Sequence, residues 1–134
     1  MKFFILVILS LASSLSASVS SYPIENINFP DDMPPEIGGL AFDQNGNLYA
    51  CLRRGDVVVT KPGNNPNLTQ WKVFATGLHN PMGMLLVGPG HIIVSQMAEL
   101  TEIIDIDMDG IADRYNNLST DFGISGNYHE TNAF

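Results

Sequence analysis

Short β-branched runs, turn signals between them and an internal offset of 44 residues predict an all-β chain of β-propeller architecture. The offset holds at three landmarks: Gly39 to Gly83, Gly46 to Gly90 and Leu48 to Ile92 are each 44 apart. A repeat of about 40–45 residues carrying four short strands has the size of one propeller blade. Two generic hairpins with coincident spacing are the alternative. A blade buries its faces only against its neighbours, and closure takes at least about four of them. With room for about two blades and the start of a third, the sequence is expected to be the opening of a longer protein, inactive by itself.

The elements follow in order. Met1-Lys2, the apolar run Phe3 to Leu9 and the small residues through Ser21 have the three regions of a secretory signal peptide, with cleavage expected between Ala17 and Ser20. We assign residues 1–18 to this signal and exclude them from the fold. The apolar core is shorter than the roughly 20 residues of a membrane span, so an uncleaved anchor is the alternative and no membrane association is expected after cleavage. The expected location is extracellular, or periplasmic in a bacterium. Residues 19–36 form a leader rich in Pro and Asn, expected to lie across the surface or pair loosely at an edge, and residues 37–134 form the incomplete propeller domain.

Within that domain, Ile37 to Phe42 is an apolar run ended by the turn Asp43-Gln44-Asn45-Gly46. Asn47 to Leu52 is the second strand, Val57 to Thr60 the third and Trp71 to Ala75 the fourth, with Lys61 to Gln70 as a loop. The order then returns. Gly83 to Val87 and His91 to Ser95 flank Gly88-Pro89-Gly90, and after a break around Gln96 to Glu99 a strand runs from Leu100 to Ile106.

Charge narrows the partners. Without Lys2 the chain keeps five basic and 14 acidic residues, a net charge of −9. Phosphate binding needs a basic face, which Arg53, Arg54, Lys61, Lys72 and Arg114 do not supply, so nucleic acid is excluded. The single cysteine, Cys51, cannot form an internal disulfide and lies in a strand pattern, which predicts a buried inert thiol, with an intermolecular bridge as the alternative. Asn67-Leu68-Thr69 and Asn117-Leu118-Ser119 match the N-glycosylation acceptor and are expected on surface loops.

The most direct chemistry lies in Asp105-Ile106-Asp107-Met108-Asp109-Gly110-Ile111-Ala112-Asp113. Carboxylates at loop positions 1, 3, 5 and 9 with Gly at 6 follow the ligand order of an EF-hand calcium loop. In a tightly turning backbone alternate side chains converge on one point, and Gly110 permits the bend that brings in the carbonyl of Ile111. The predicted metal ligands are therefore Asp105, Asp107, Asp109, Ile111 and Asp113, with calcium as the ion. Position 12 is Asn116 rather than the usual Glu, and a strand, not a helix, precedes the loop. Asp and Gly are also good turn formers, so an acidic turn without metal is the alternative.

Several pieces then occur together: Gly38-Gly39-Leu40-Ala41-Phe42, Cys51-Leu52-Arg53-Arg54-Gly55-Asp56-Val57, Gly77-Leu78-His79-Asn80-Pro81-Met82-Gly83-Met84, Glu99-Leu100-Thr101, the aspartate loop, and Ser125-Gly126-Asn127-Tyr128-His129-Glu130. In this order they resemble the N-terminal part of secreted sugar-dehydrogenase-like propellers, related to the soluble pyrroloquinoline-quinone-dependent glucose and aldose dehydrogenases. The resemblance spans roughly Ile37 to Phe134. It implies six blades, a pyrroloquinoline quinone over the central channel, calcium beside it, a sugar or alcohol substrate, and His129 as the base that takes the hydroxyl proton. A neutral imidazole suits that role. His129 as an ordinary strand or loop residue stays open, and His79 and His91 are read as structural. Two alternatives stay open: a non-catalytic, calcium-stabilised secreted propeller that binds a glycan or protein, and a lactone or ester hydrolase on a similar propeller.

Overall fold

The computed structural model describes residues 24–65, 69–97 and 99–121. Among these residues there is no helix, and eight strands form two four-stranded antiparallel meanders. The first comprises β1 (Ile37–Phe42), β2 (Leu48–Leu52), β3 (Asp56–Thr60) and β4 (Lys72–Ala75), and the second β5 (Gly83–Gly88), β6 (His91–Gln96), β7 (Glu99–Ile104) and β8 (Arg114–Ser119). Strand order equals chain order in both.

The sequence offset reappears as register. Ala41 pairs with Tyr49 and Phe42 with Leu48, while Leu85 pairs with Ile93 and Leu86 with Ile92, the same cross-strand pairs 44 residues on. The first β1–β2 turn is fixed by Asp43, whose carboxylate accepts hydrogen bonds from the Asn45 and Asn47 amides at 2.8 Å.

Alternation decides the core. Tyr49, Cys51, Val57 and Phe74 of the first sheet pack against Met84, Ile92, Val94 and Ile103 of the second. Each such large aliphatic or aromatic side chain contributes about 1.5–3 kcal/mol when fully buried. The opposite face of the first sheet, with Ala50, Leu52 and Val58, lies under Phe29, Met33 and Trp71. Phe29 stacks on Trp71 at 4.3 Å between ring centroids, and the Trp71 indole N–H donates to the Asn28 carbonyl at 3.0 Å. So the described part of the leader covers one face of the first sheet, and every residue of β2 is buried.

The edge strands β1 and β5 of the two sheets meet backbone to backbone. A Cβ added at Gly38 would stand 2.0 Å from the Pro81 carbonyl oxygen, so no side chain fits there. Cys51 lies in the same seam, fully buried, with its thiol donating weakly to Pro81 O at 3.8 Å. Burial pushes that thiol up to about 11, which makes it the inert group expected from its strand pattern.

Two expectations are corrected, the end of the strand before the aspartate loop and the loop placement of Asn117. The strand expected from Leu100 to Ile106 is β7 and ends at Ile104, because the Asp105 amide turns to the Gly90 carbonyl (2.7 Å) and Asp113 N–H closes onto the Ile104 carbonyl (2.9 Å). The break around Gln96 to Glu99 is a hairpin turn whose flanking residues pair with each other. No local pattern predicts β8: its Arg-Tyr-Asn-Asn-Leu-Ser has low strand propensity, and its asparagines are held instead by carboxylates of β7, Asn116 by Glu102 (2.8 Å) and Asn117 by Glu99 (2.7 Å). Thus Asn116 is a strand residue rather than a loop terminus, and the acceptor Asn117 is exposed on a strand, not in a loop. The other acceptor, Asn67, lies outside the described residues.

Candidate metal centre

The loop between β7 and β8 brings Asp105, Asp107 and Asp109 together: one ligand oxygen from each lies within 4.8 Å of the others. Local hydrogen bonds shape the turn. Asp107 Oδ1 accepts from Asp109 N–H (3.2 Å), Asp109 Oδ1 from Ile111 N–H (2.8 Å), and Asp105 Oδ2 from Gly110 N–H (2.8 Å). Gly110 has φ +94°, the left-handed bend that favours glycine.

Those bonds are what any acidic turn makes. Asp105 does more. It is 5% exposed, and its Oδ1 is buried with no hydrogen-bond partner. An unsatisfied buried polar atom costs about 1–3 kcal/mol, more for a charged group. A cation held by Oδ1 would remove that cost, and hard divalent ions such as calcium take oxygen ligands of this kind. Asp113 is not one of those three. Its Oδ2 accepts from Ile106 N–H at 2.7 Å and pins the base of the loop. Ile111 is exposed beside the triad. Of the four expected carboxylate ligands, the structure gathers three.

The loop and the start of β8 also fasten the two sheets. Ala112 N–H donates to the Phe74 carbonyl (2.7 Å), its side chain packs on the intersheet core, and the Tyr115 hydroxyl accepts from Thr76 N–H (3.2 Å). Tyr49, across the seam, titrates above its ordinary value because of burial, and then because of the charges of Asp43 and Asp105.

At the other end of the sheets, a cavity of about 370 Å³ is lined by Glu36, Arg53, Arg54, Leu78, His79 and Asn80. Two sequence pieces far apart in the chain meet there. Arg53 Nε donates to Asn80 Oδ1 at 3.1 Å, and Asn80 is buried at φ +49°. Sequence reasoning missed this grouping; its only signal was the presence of both pieces among the motifs. His79 is exposed, with its amide held by the Gln96 side chain, and His91 Nε2 lies 2.8 Å from Glu102 Oε1 on β7. His129, the expected base, lies outside the described residues together with the rest of Ser125–Glu130. Comparison of the chain with family models, with curated proteins and with solved structures gives no match.

Proposed function

We propose that this chain is the N-terminal part of a secreted β-propeller of the quinone-dependent sugar-dehydrogenase-like kind, with calcium bound in the loop of Asp105, Asp107 and Asp109. The observation that carries the architecture is the repeat of four-stranded meander and cross-strand register at 44 residues, with the two sheets packed through β1 and β5. The orphaned Oδ1 of Asp105 supports the calcium.

The loop connections divide the labour. The calcium loop and the Asp43 turn lie at one end of the strands, and the Arg53, His79 and Asn80 cavity at the other. Its two guanidinium groups suit the carboxylates of a quinone cofactor, which when bound supplies the hydride acceptor. His129 is then the residue that takes the substrate's hydroxyl proton. Reconstitution of the complete protein with calcium and pyrroloquinoline quinone, followed by dye reduction with aldoses, tests this. Turnover is expected, and His129→Ala is expected to lower kcat about 10²- to 10⁴-fold. A folded, calcium-loaded protein that turns over no sugar or alcohol removes the dehydrogenase reading.

The second reading, a non-catalytic propeller that binds a glycan or protein, is favoured by the metal loop, whose acidic cluster lies far along the strands from the basic cavity. It predicts binding that survives His129→Ala.

A further inference from the structure

The end of the molecule that carries the aspartate loop holds a second feature. Between the loop and the first sheet runs an open groove of about 490 Å³, lined in part by Asn47, Tyr49, Lys61, Gln70, Lys72 and Asp109. Strand register builds its floor. Tyr49 pairs with Val59, and Val59 with Lys72, so these side chains stand in one row on one face, and Lys61 follows two residues beyond Val59.

Two of the five basic residues that follow the leader thus stand opposite the metal loop. Neither ammonium has a hydrogen-bond or ion-pair partner among the described residues; Lys61 feels the charge of Asp43 only at longer range. Across the groove, Asp109 belongs to the triad in which the buried Asp105 Oδ1 has no partner. Unpaired cations on one wall and an unsatisfied carboxylate cluster on the other are a pair of complementary demands.

We propose that this groove binds a carboxylate-bearing saccharide of the uronic-acid class, its carboxylate bridging the divalent cation of the loop and the ammonium groups of Lys61 and Lys72. The inference rests on the calcium reading above. Calcium takes about 6–8 oxygen ligands, and the three gathered carboxylates leave positions for oxygens from outside the chain. A carboxylate satisfies both the ion and the ammoniums. The Gln70 amide suits sugar hydroxyls as donor and acceptor, whereas the Asn47 NH2 already donates to Asp43 Oδ2 at 2.7 Å. Without the ion, Asp109 and its neighbours repel an anion, so binding requires the metal.

The test uses the whole secreted chain. Calcium is titrated first by calorimetry. Trigalacturonate is then titrated with calcium and with chelator, and a neutral galactose trisaccharide serves as control. The expected result is calcium binding, trigalacturonate binding only when calcium is present, and weaker binding of the neutral sugar. The double substitution Lys61→Gln, Lys72→Gln is expected to keep the fold by circular dichroism and the calcium affinity. It should weaken trigalacturonate by about tenfold, the reach of two exposed ion pairs. Calcium binding without trigalacturonate binding, or trigalacturonate binding indifferent to both lysines, overturns this proposal and leaves the calcium reading intact. Failure of the first titration removes the calcium reading, and any trigalacturonate binding that persists without the ion overturns the bridge.

Discussion

Asp105 has one oxygen engaged by Gly110 N–H and the other buried without a partner, and the metal assignment turns on this difference. Calcium at about 100-fold above its dissociation constant should stabilise the chain by about 2.7 kcal/mol. A rise of several degrees in Tm over a chelator control, followed by circular dichroism, is the expected outcome. Asp105→Asn should abolish the calcium-dependent part, and an unchanged calcium response would sink the assignment. At Cys51 the chemistry is set by burial between the sheets. The thiol should be unreactive to a disulfide reagent at pH 8 in the native protein and should react on unfolding; fast native reaction would contradict its burial. Both residues were legible in the sequence, Asp105 from its loop spacing and Cys51 from its strand pattern. What could not be read was which oxygen of Asp105 would be left unsatisfied, since that depends on the docking of Gly90 and Gly110 around it.

Strands β7 and β8 are joined by a row of carboxylate–asparagine bonds that gives acid its point of attack. Glu99 titrates below its ordinary value because the Thr101 hydroxyl donates to it, with burial opposing and the Asn117 and Gln96 amides adding to the lowering. A depressed folded value means stability that is present above the unfolded carboxylate range, near 4.5, and is lost as pH falls through the folded value. Glu99→Gln is therefore expected to flatten the acid side of the stability–pH curve, measured by urea unfolding between pH 3 and 7. A curve parallel to the wild type would contradict the assignment. On β1, Gly38→Ala forces a methyl against the Pro81 carbonyl, and overpacking of this kind costs about 1–3 kcal/mol, readable as a shifted unfolding midpoint. The apolar strands β1 to β6 were readable because burial, on one face or, in β2, on both, dictates their apolar residues. β8 was not, because its polar side chains are held by partners on β7 that no local pattern specifies.

For the molecule as a unit, the loop that carries the aspartates and the start of β8 form the strap between the sheets, through Ala112 to Phe74 and Tyr115 to Thr76. Calcium should accordingly slow amide hydrogen exchange in β4 of the first sheet as well as in β7 and β8 of the second. Protection confined to the loop would show that the ion acts only locally. The Asn28-to-Met33 part of the leader covers Ala50, Leu52 and Val58, so Phe29→Ala together with Trp71→Ala is expected to expose that face and raise binding of a hydrophobic dye. The sequence by itself determined the all-β class, the 44-residue repeat, most strand positions and the acidic loop, because each is written in local spacing: period two for strands, Gly and Asn for turns, alternate aspartates for the loop. Only the tertiary structure decided that Phe29 would cap the first sheet, that Arg53 would meet Asn80, that Asp113 would serve the turn, and that Lys61 and Lys72 would face Asp109. Those contacts join residues far apart in the chain, and their energy comes from surfaces that exist only after the two sheets have packed.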